Sequence, residues 1–133
     1  MSIDAGPVQA VGLFTGQHVL AELEGVDPGL LDDEQFLRDT LHSALVRSDA
    51  TVCQVIAKHF EPQGVTVLAL LSESHASLHT YPENGSIFVD VFTCGHRAQP
   101  ERAVRLLAEA LQPDSVQTQT IRRGLDCDDT VPG

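Results

Sequence analysis

Directly after an aliphatic run, the segment Leu71-Ser72-Glu73-Ser74-His75-Ala76-Ser77-Leu78-His79-Thr80-Tyr81-Pro82-Glu83 crowds hydroxyls, imidazoles and carboxylates together, and a thiol follows in Asp90-Val91-Phe92-Thr93-Cys94-Gly95. Such side chains can serve as nucleophile, base and proton donor. Polar residues placed straight after a buried apolar strand have few packing reasons to be there. Composition alone leaves the reaction open, because Ser with His is common and a free cysteine at a strand end is often merely packed. His75 and His79 lie four apart, so in a strand they share a face; with Cys94 and His96 they make a conceivable zinc set, although the spacing fits no familiar zinc pattern.

The elements that must position these groups can be read from periodicity. A β-branched stretch within residues 8–23 predicts a strand, closed by a turn over Glu24-Gly25-Val26-Asp27-Pro28-Gly29. Asp32-Asp33-Glu34 places acids where a helix begins, and Phe36, Leu37, Leu41, Ala44 and Leu45 recur at helical spacing up to about Arg47. Thr51 to Phe60 and Val65 to Leu71 predict a hairpin around Glu61-Pro62-Gln63-Gly64. His75 to Tyr81 is extended, Pro82-Glu83-Asn84-Gly85 is a turn, and from Ser86 to Cys94 the residues Ile87, Val89 and Val91 face one way while Phe88, Asp90 and Phe92 face the other. Pro100 opens a second helix, striped by Ala103, Leu106, Leu107, Ala110 and Leu111 and stopped by Pro113; a last strand spans Val116 to Ile121. Hairpin-linked strands with two helices predict an α+β fold: a two-layer sandwich, with both helices on one face of a mainly antiparallel sheet. The other face then needs a partner or polar residues.

At 133 residues and 42% hydrophobic content, one domain over 1–133 is expected, with about 125–133 as a flexible tail. No apolar run is long enough for a membrane helix, and the first residues lack the pattern of a signal peptide, so a cytoplasmic location is expected. Three cysteines without paired spacing suit a reducing compartment; Cys53, within a predicted strand, is expected in the core, and Cys127 falls in the tail. A formal charge of −11 disfavours nucleic acid and anionic membranes as partners.

The strings Ser-Glu-Ser-His (72–75), His-Thr-Tyr-Pro-Glu (79–83) and Asp-Val-Phe-Thr-Cys-Gly (90–95), in this order and spacing, resemble the prokaryotic S-adenosylmethionine decarboxylase proenzymes. Upstream, Gly16-Gln17-His18-Val19-Leu20-Ala21-Glu22 is similar to the family's first strand. The resemblance implies self-cleavage between Glu73 and Ser74 into chains 1–73 and 74–133. The Ser74 hydroxyl attacks the preceding carbonyl, an ester forms, and β-elimination leaves a pyruvoyl group, the only cofactor implied; no metal is. By the same resemblance His79 serves processing, with Thr66 where the family commonly has serine, and Cys94 is the proton donor in decarboxylation. Substrate forms a Schiff base with the pyruvoyl carbonyl. Phe60 and His79 flank the adenine, Glu83 holds the ribose hydroxyls, and Tyr81 stands in the pocket where tryptophan is common. A homodimer with active sites at the subunit junction is implied, as is a role in supplying the aminopropyl donor of polyamine (spermidine) synthesis.

Departures from the family pattern touch the pocket more than the cleavage machinery: Thr66 adds a methyl group, Gln17 replaces a usual basic residue, and Glu61 sets a charge beside Phe60. Other readings are the same chemistry on ornithine or arginine, a regulator that never processes, a Cys/His metal module, or a cysteine hydrolase built on Cys94.

Overall fold

A computed structural model describes residues 15–124. Its six strands, β1 (Gly16–Glu24), β2 (Val52–His59), β3 (Val65–Leu71), β4 (Ser74–Tyr81), β5 (Ser86–Cys94) and β6 (Ser115–Arg123), form one sheet in the order β2-β3-β4-β5-β1-β6. Every neighbouring pair is antiparallel. The strand expected within residues 8–23 begins at Gly16; residues 8–14, the tail from 125 and Cys127 lie outside the described residues.

Helix α1 (Pro28–Leu31) was not expected. Asp27 accepts the Gly29 N–H and Pro28 fills the first helical position, so Asp-Pro starts a short helix here rather than only a turn. Helix α2 (Glu34–Val46) starts as its acids predict: the Asp33 carboxylate accepts the Phe36 N–H at 3.0 Å. Helix α3 (Pro100–Leu111) has Pro100 in its first turn and ends at Gln112, whose φ is 54°.

Period-two alternation divides the sheet. Val19, Leu23, Val67, Leu78, Ile87 and Val91 are buried in one cluster with Leu37, Leu41, Leu45 and Leu107 of the helices. This is the predicted two-layer α+β sandwich. Among the described residues no helix covers the opposite face, and there Leu20, Ile56, Leu68, Leu70 and Phe88 are all at least a third exposed.

Thr80 ties three elements together on the buried side. Its hydroxyl donates to the Leu31 carbonyl at 2.6 Å and accepts the Val65 N–H at 2.9 Å. Thr80→Val keeps the volume but orphans both groups, each costing about 1–3 kcal/mol when buried. We expect a lowered denaturant midpoint with an unchanged m-value, measured by chemical unfolding.

Cys53 is exposed, not in the core as expected. It sits where the β2–β3 register shifts between Val52 and Gln54, on an edge strand, so the regular alternation that would turn it inward is broken.

Candidate active site

Ser74 is the first residue of β4 and pairs with Thr93 of β5. That register puts its Oγ 3.9 Å from the Sγ of Cys94, the last residue of β5. The Cys94 backbone N–H donates to the carbonyl oxygen of Glu73 at 3.3 Å, so the peptide carbonyl preceding Ser74 is polarised from the neighbouring strand. Glu73 is pinned from the other side as well: its carboxylate accepts the Thr51 N–H at 3.1 Å, and the Ser72 N–H donates to the Thr51 carbonyl at 2.9 Å. Gly16, opposite Cys94 across β1 and β5, makes this packing possible. A Cβ there would lie 2.7 Å from the Thr93 carbonyl oxygen and 3.2 Å from the Cys94 sulfur. Left-handed non-glycine residues among those described are Asp49 and Gln112, so residues 72–74 carry no strain of that kind.

The remaining predicted residues gather elsewhere. His79 lies five positions along β4 from Ser74, roughly 16 Å away at the usual ~3.3 Å rise of a strand. It pairs across strands with Thr66 of β3, whose Oγ1 is 3.1 Å from His79 Nδ1. Tyr81, at the end of the same strand, is exposed and packs on Phe88 with ring centroids 5.3 Å apart. Phe60 stands exposed after β2, and Glu83 is exposed in the 3-10 turn Pro82–Asn84. A single chain therefore brings together Glu73, Ser74 and Cys94, and separately Thr66 and His79, but does not join His79 to Ser74.

Between the two groups along β4 lies a network that sequence reasoning missed. The Ser77 hydroxyl donates to Asp90 Oδ1 in a very short hydrogen bond. Asp90 Oδ2 receives His18 Nε2 at 2.7 Å and His75 Nε2 at 3.2 Å. The Arg123 guanidinium, stacked over Phe92, lies 3.1 Å from His18 Nδ1; it can only donate, so the proton of a neutral His18 resides on Nε2 and points at Asp90. Partial burial works to raise the Asp90 pKa, but the hydrogen bonds from Ser77, His18 and His75 outweigh it and hold the carboxyl below its ordinary value of 3.8. Asp90 is thus an anion at neutral pH. One signal was available: His75, Ser77 and His79 share strand parity, as do Phe88, Asp90 and Phe92, and polar residues repeating on one face of adjacent strands have to meet.

Nitrogens of His18 and His75 and an Asp90 oxygen lie within 4.8 Å of one another, a spacing a cation could accept. Here each nitrogen already contacts the carboxylate, and Arg123 supplies a positive charge alongside. The zinc set imagined from spacing is not assembled, since Cys94 and His79 belong to opposite ends of the site. A surface cleft of about 420 Å³ lies between α3 and β6 on the helix side and contains none of these residues.

A family model described as S-adenosylmethionine decarboxylase matches residues 17–124 of the chain. An S-adenosylmethionine decarboxylase proenzyme of Parasynechococcus marenigrum is 49% identical over 110 residues, covering 83% of this chain and 86% of its own. One from Brevibacillus brevis is 44% identical, covering 83% of both. The crystal structure of the adenosylmethionine decarboxylase from Aquifex aeolicus superposes with a TM-score of 0.79 at 36% identity, covering 84% of this chain and 92% of that one.

Proposed function

The chain belongs to the S-adenosylmethionine decarboxylase family and is a decarboxylase acting on S-adenosylmethionine, and from that premise we propose that it activates itself by cutting between Glu73 and Ser74 and converting Ser74 into a pyruvoyl group. The observation that carries this reading is the Glu73 carbonyl, which bears the Cys94 N–H on its oxygen at 3.3 Å. Attack by the neighbouring Ser74 Oγ on that carbonyl carbon moves the acyl group from nitrogen to oxygen. The oxyanion formed on the way is the charge this N–H is aimed at. Removal of the Ser74 α-proton then forms a Cα=Cβ bond and expels the Glu73 carboxylate from Cβ. The resulting enamine tautomerises to an imine, and water hydrolyses it to pyruvoyl with loss of ammonia.

The pyruvoyl group supplies an electron sink for the carbon that loses carbon dioxide. The residues around Ser74 fit it: a small glycine-backed niche holds the Cys94 thiol 3.9 Å from Ser74 Oγ, and that thiol would be the group to return a proton to that carbon. In the same reading, Phe60 and His79 hold the adenine, Glu83 binds the ribose hydroxyls, and Tyr81 borders the pocket. Unpaired thiols at Cys53 and Cys94 suit work in the cytoplasm, in the supply of aminopropyl groups for polyamines. Intact mass spectra test the processing: two fragments divided at Glu73-Ser74, the second beginning with pyruvoyl, are expected. Carboxyl-labelled S-adenosylmethionine, and not labelled ornithine or arginine, should release carbon dioxide.

The distance between His79 and Ser74 supports a reading in which a second copy of the chain supplies the histidine. A twofold-related copy stacked on the open sheet face would cover Leu20, Ile56, Leu68 and Phe88 and lay its Thr66–His79 end over the Ser74–Cys94 end of the first. Each site of this homodimer is composite. Co-expression of Ser74→Ala and His79→Ala chains checks it: alone, neither should cleave, but in the mixed dimer the His79→Ala chain should be cut, because its intact Ser74 meets an intact histidine. Absence of that rescue would place both residues within one chain.

A further inference from the structure

We propose that Asp90, acting through Ser77, is a positioning residue for self-cleavage: it fixes which nitrogen of His79 is the base and stabilises the cation formed when His79 takes up a proton. The proposal rests on the processing reading above.

The direction of each hydrogen bond follows from counting protons. Asp90 accepts only, so the single hydroxyl proton of Ser77 is committed to its Oδ1. Ser77 Oγ also lies 3.4 Å from His79 Nε2, at the long end of hydrogen bonding, and with its proton spent it can only accept there. In the neutral imidazole, Nε2 therefore carries the hydrogen and Nδ1 the lone pair. Nδ1 faces the Thr66 hydroxyl at 3.1 Å, which donates to it. The result is an ordered chain, from Thr66 O–H to His79 Nδ1, from Nε2–H to Ser77 Oγ, and from Ser77 O–H to the Asp90 carboxylate. A charged acceptor ends it, and His18 and His75 hold that acceptor in place with a hydrogen bond each. Ser77 is buried, so water does not easily replace it as the link.

In the elimination step the Thr66 hydroxyl turns its hydrogen away from His79 Nδ1, the freed lone pair takes the α-proton of the esterified serine, and the C–H electron pair forms Cα=Cβ as the Cβ–O bond to the Glu73 carboxylate breaks. A positive charge then appears on the imidazole, two hydrogen bonds from an anion. A base of this kind is worth about 10²–10⁴ in rate, and a wrong tautomer or an uncompensated charge forfeits a large part of it.

The test follows self-cleavage of the full chain by denaturing mass spectrometry, with and without neutral hydroxylamine, which splits esters but not peptide bonds. Asp90→Asn keeps the shape and removes the charge; cleavage should slow at least about tenfold, and the uncut chain should accumulate as an ester that hydroxylamine cuts at Glu73-Ser74. Ser77→Ala should behave likewise, while Ser77→Thr, which keeps a hydroxyl, should restore cleavage. Should Asp90→Asn fail to fold, the Ser77 pair carries the same test with Asp90, His18 and His75 intact. Cleavage of Asp90→Asn at the wild-type rate, an uncut chain resistant to hydroxylamine, or failure of Ser77→Thr to rescue would each overturn the proposal. A wild-type chain that never cleaves would instead remove the processing reading on which it rests.

Discussion

Ser74→Ala should emerge as one uncut chain of 133 residues with no carbon dioxide release from labelled S-adenosylmethionine. The substitution removes one oxygen from a half-buried strand start and leaves the Glu73 carbonyl and its Cys94 N–H donor in place, so folding should be preserved. In the proposed mechanism, what disappears is the nucleophile, and with it the source of the pyruvoyl group. Because no neighbouring residue can stand in for an electron sink built from residue 74 itself, the loss should be complete rather than partial. Intact mass and a labelled-substrate assay decide it. A Ser74→Ala protein that decarboxylates without pyruvoyl would refute the mechanism outright.

Cys94→Ala should separate the two functions that the proposed mechanism gives this one residue. Its backbone N–H is aimed at the Glu73 carbonyl, and alanine keeps that donor; its thiol sits 3.9 Å from Ser74 Oγ, and alanine removes it. The variant should therefore still divide at Glu73-Ser74 while decarboxylation falls by about 10²–10⁴, the usual worth of a positioned proton donor. Mass spectrometry reads the first outcome and labelled carbon dioxide the second. An uncut Cys94→Ala chain would mean that the thiol itself takes part in cleavage. Unimpaired decarboxylation would mean that the proton comes from elsewhere.

Local pattern carried most of the fold. The period-two alternation of Ile87, Val89 and Val91 against Phe88, Asp90 and Phe92 is what the structure contains, because one buried face imposes that period on any strand next to it. The acids before Phe36 and the proline at position 100 mark helix starts, because capping is settled within a few residues. Cys53 misled because a register shift on an edge strand is decided by the partner strand and by loop lengths, not by the residues flanking the cysteine. The Asp-Pro pair at 27–28 signals both a turn and a helix start, and the choice fell to α1 once Thr80 could hold the Leu31 carbonyl.

The sequence by itself determined which side chains are available for chemistry and which face of each strand they occupy, since residue type and parity are local properties. It also carried the strings by which the family is recognised. Which of these groups meet was decided only by the tertiary structure. Antiparallel register sets Ser74 beside Cys94 and Thr66 beside His79, while a strand's length keeps the two pairs apart. Sheet order brings His18 of β1, Asp90 of β5 and His75 of β4 to one carboxylate, though His18 and Asp90 are 72 positions apart in the chain. Such contacts depend on pairing between distant segments, and no window along the chain contains that information.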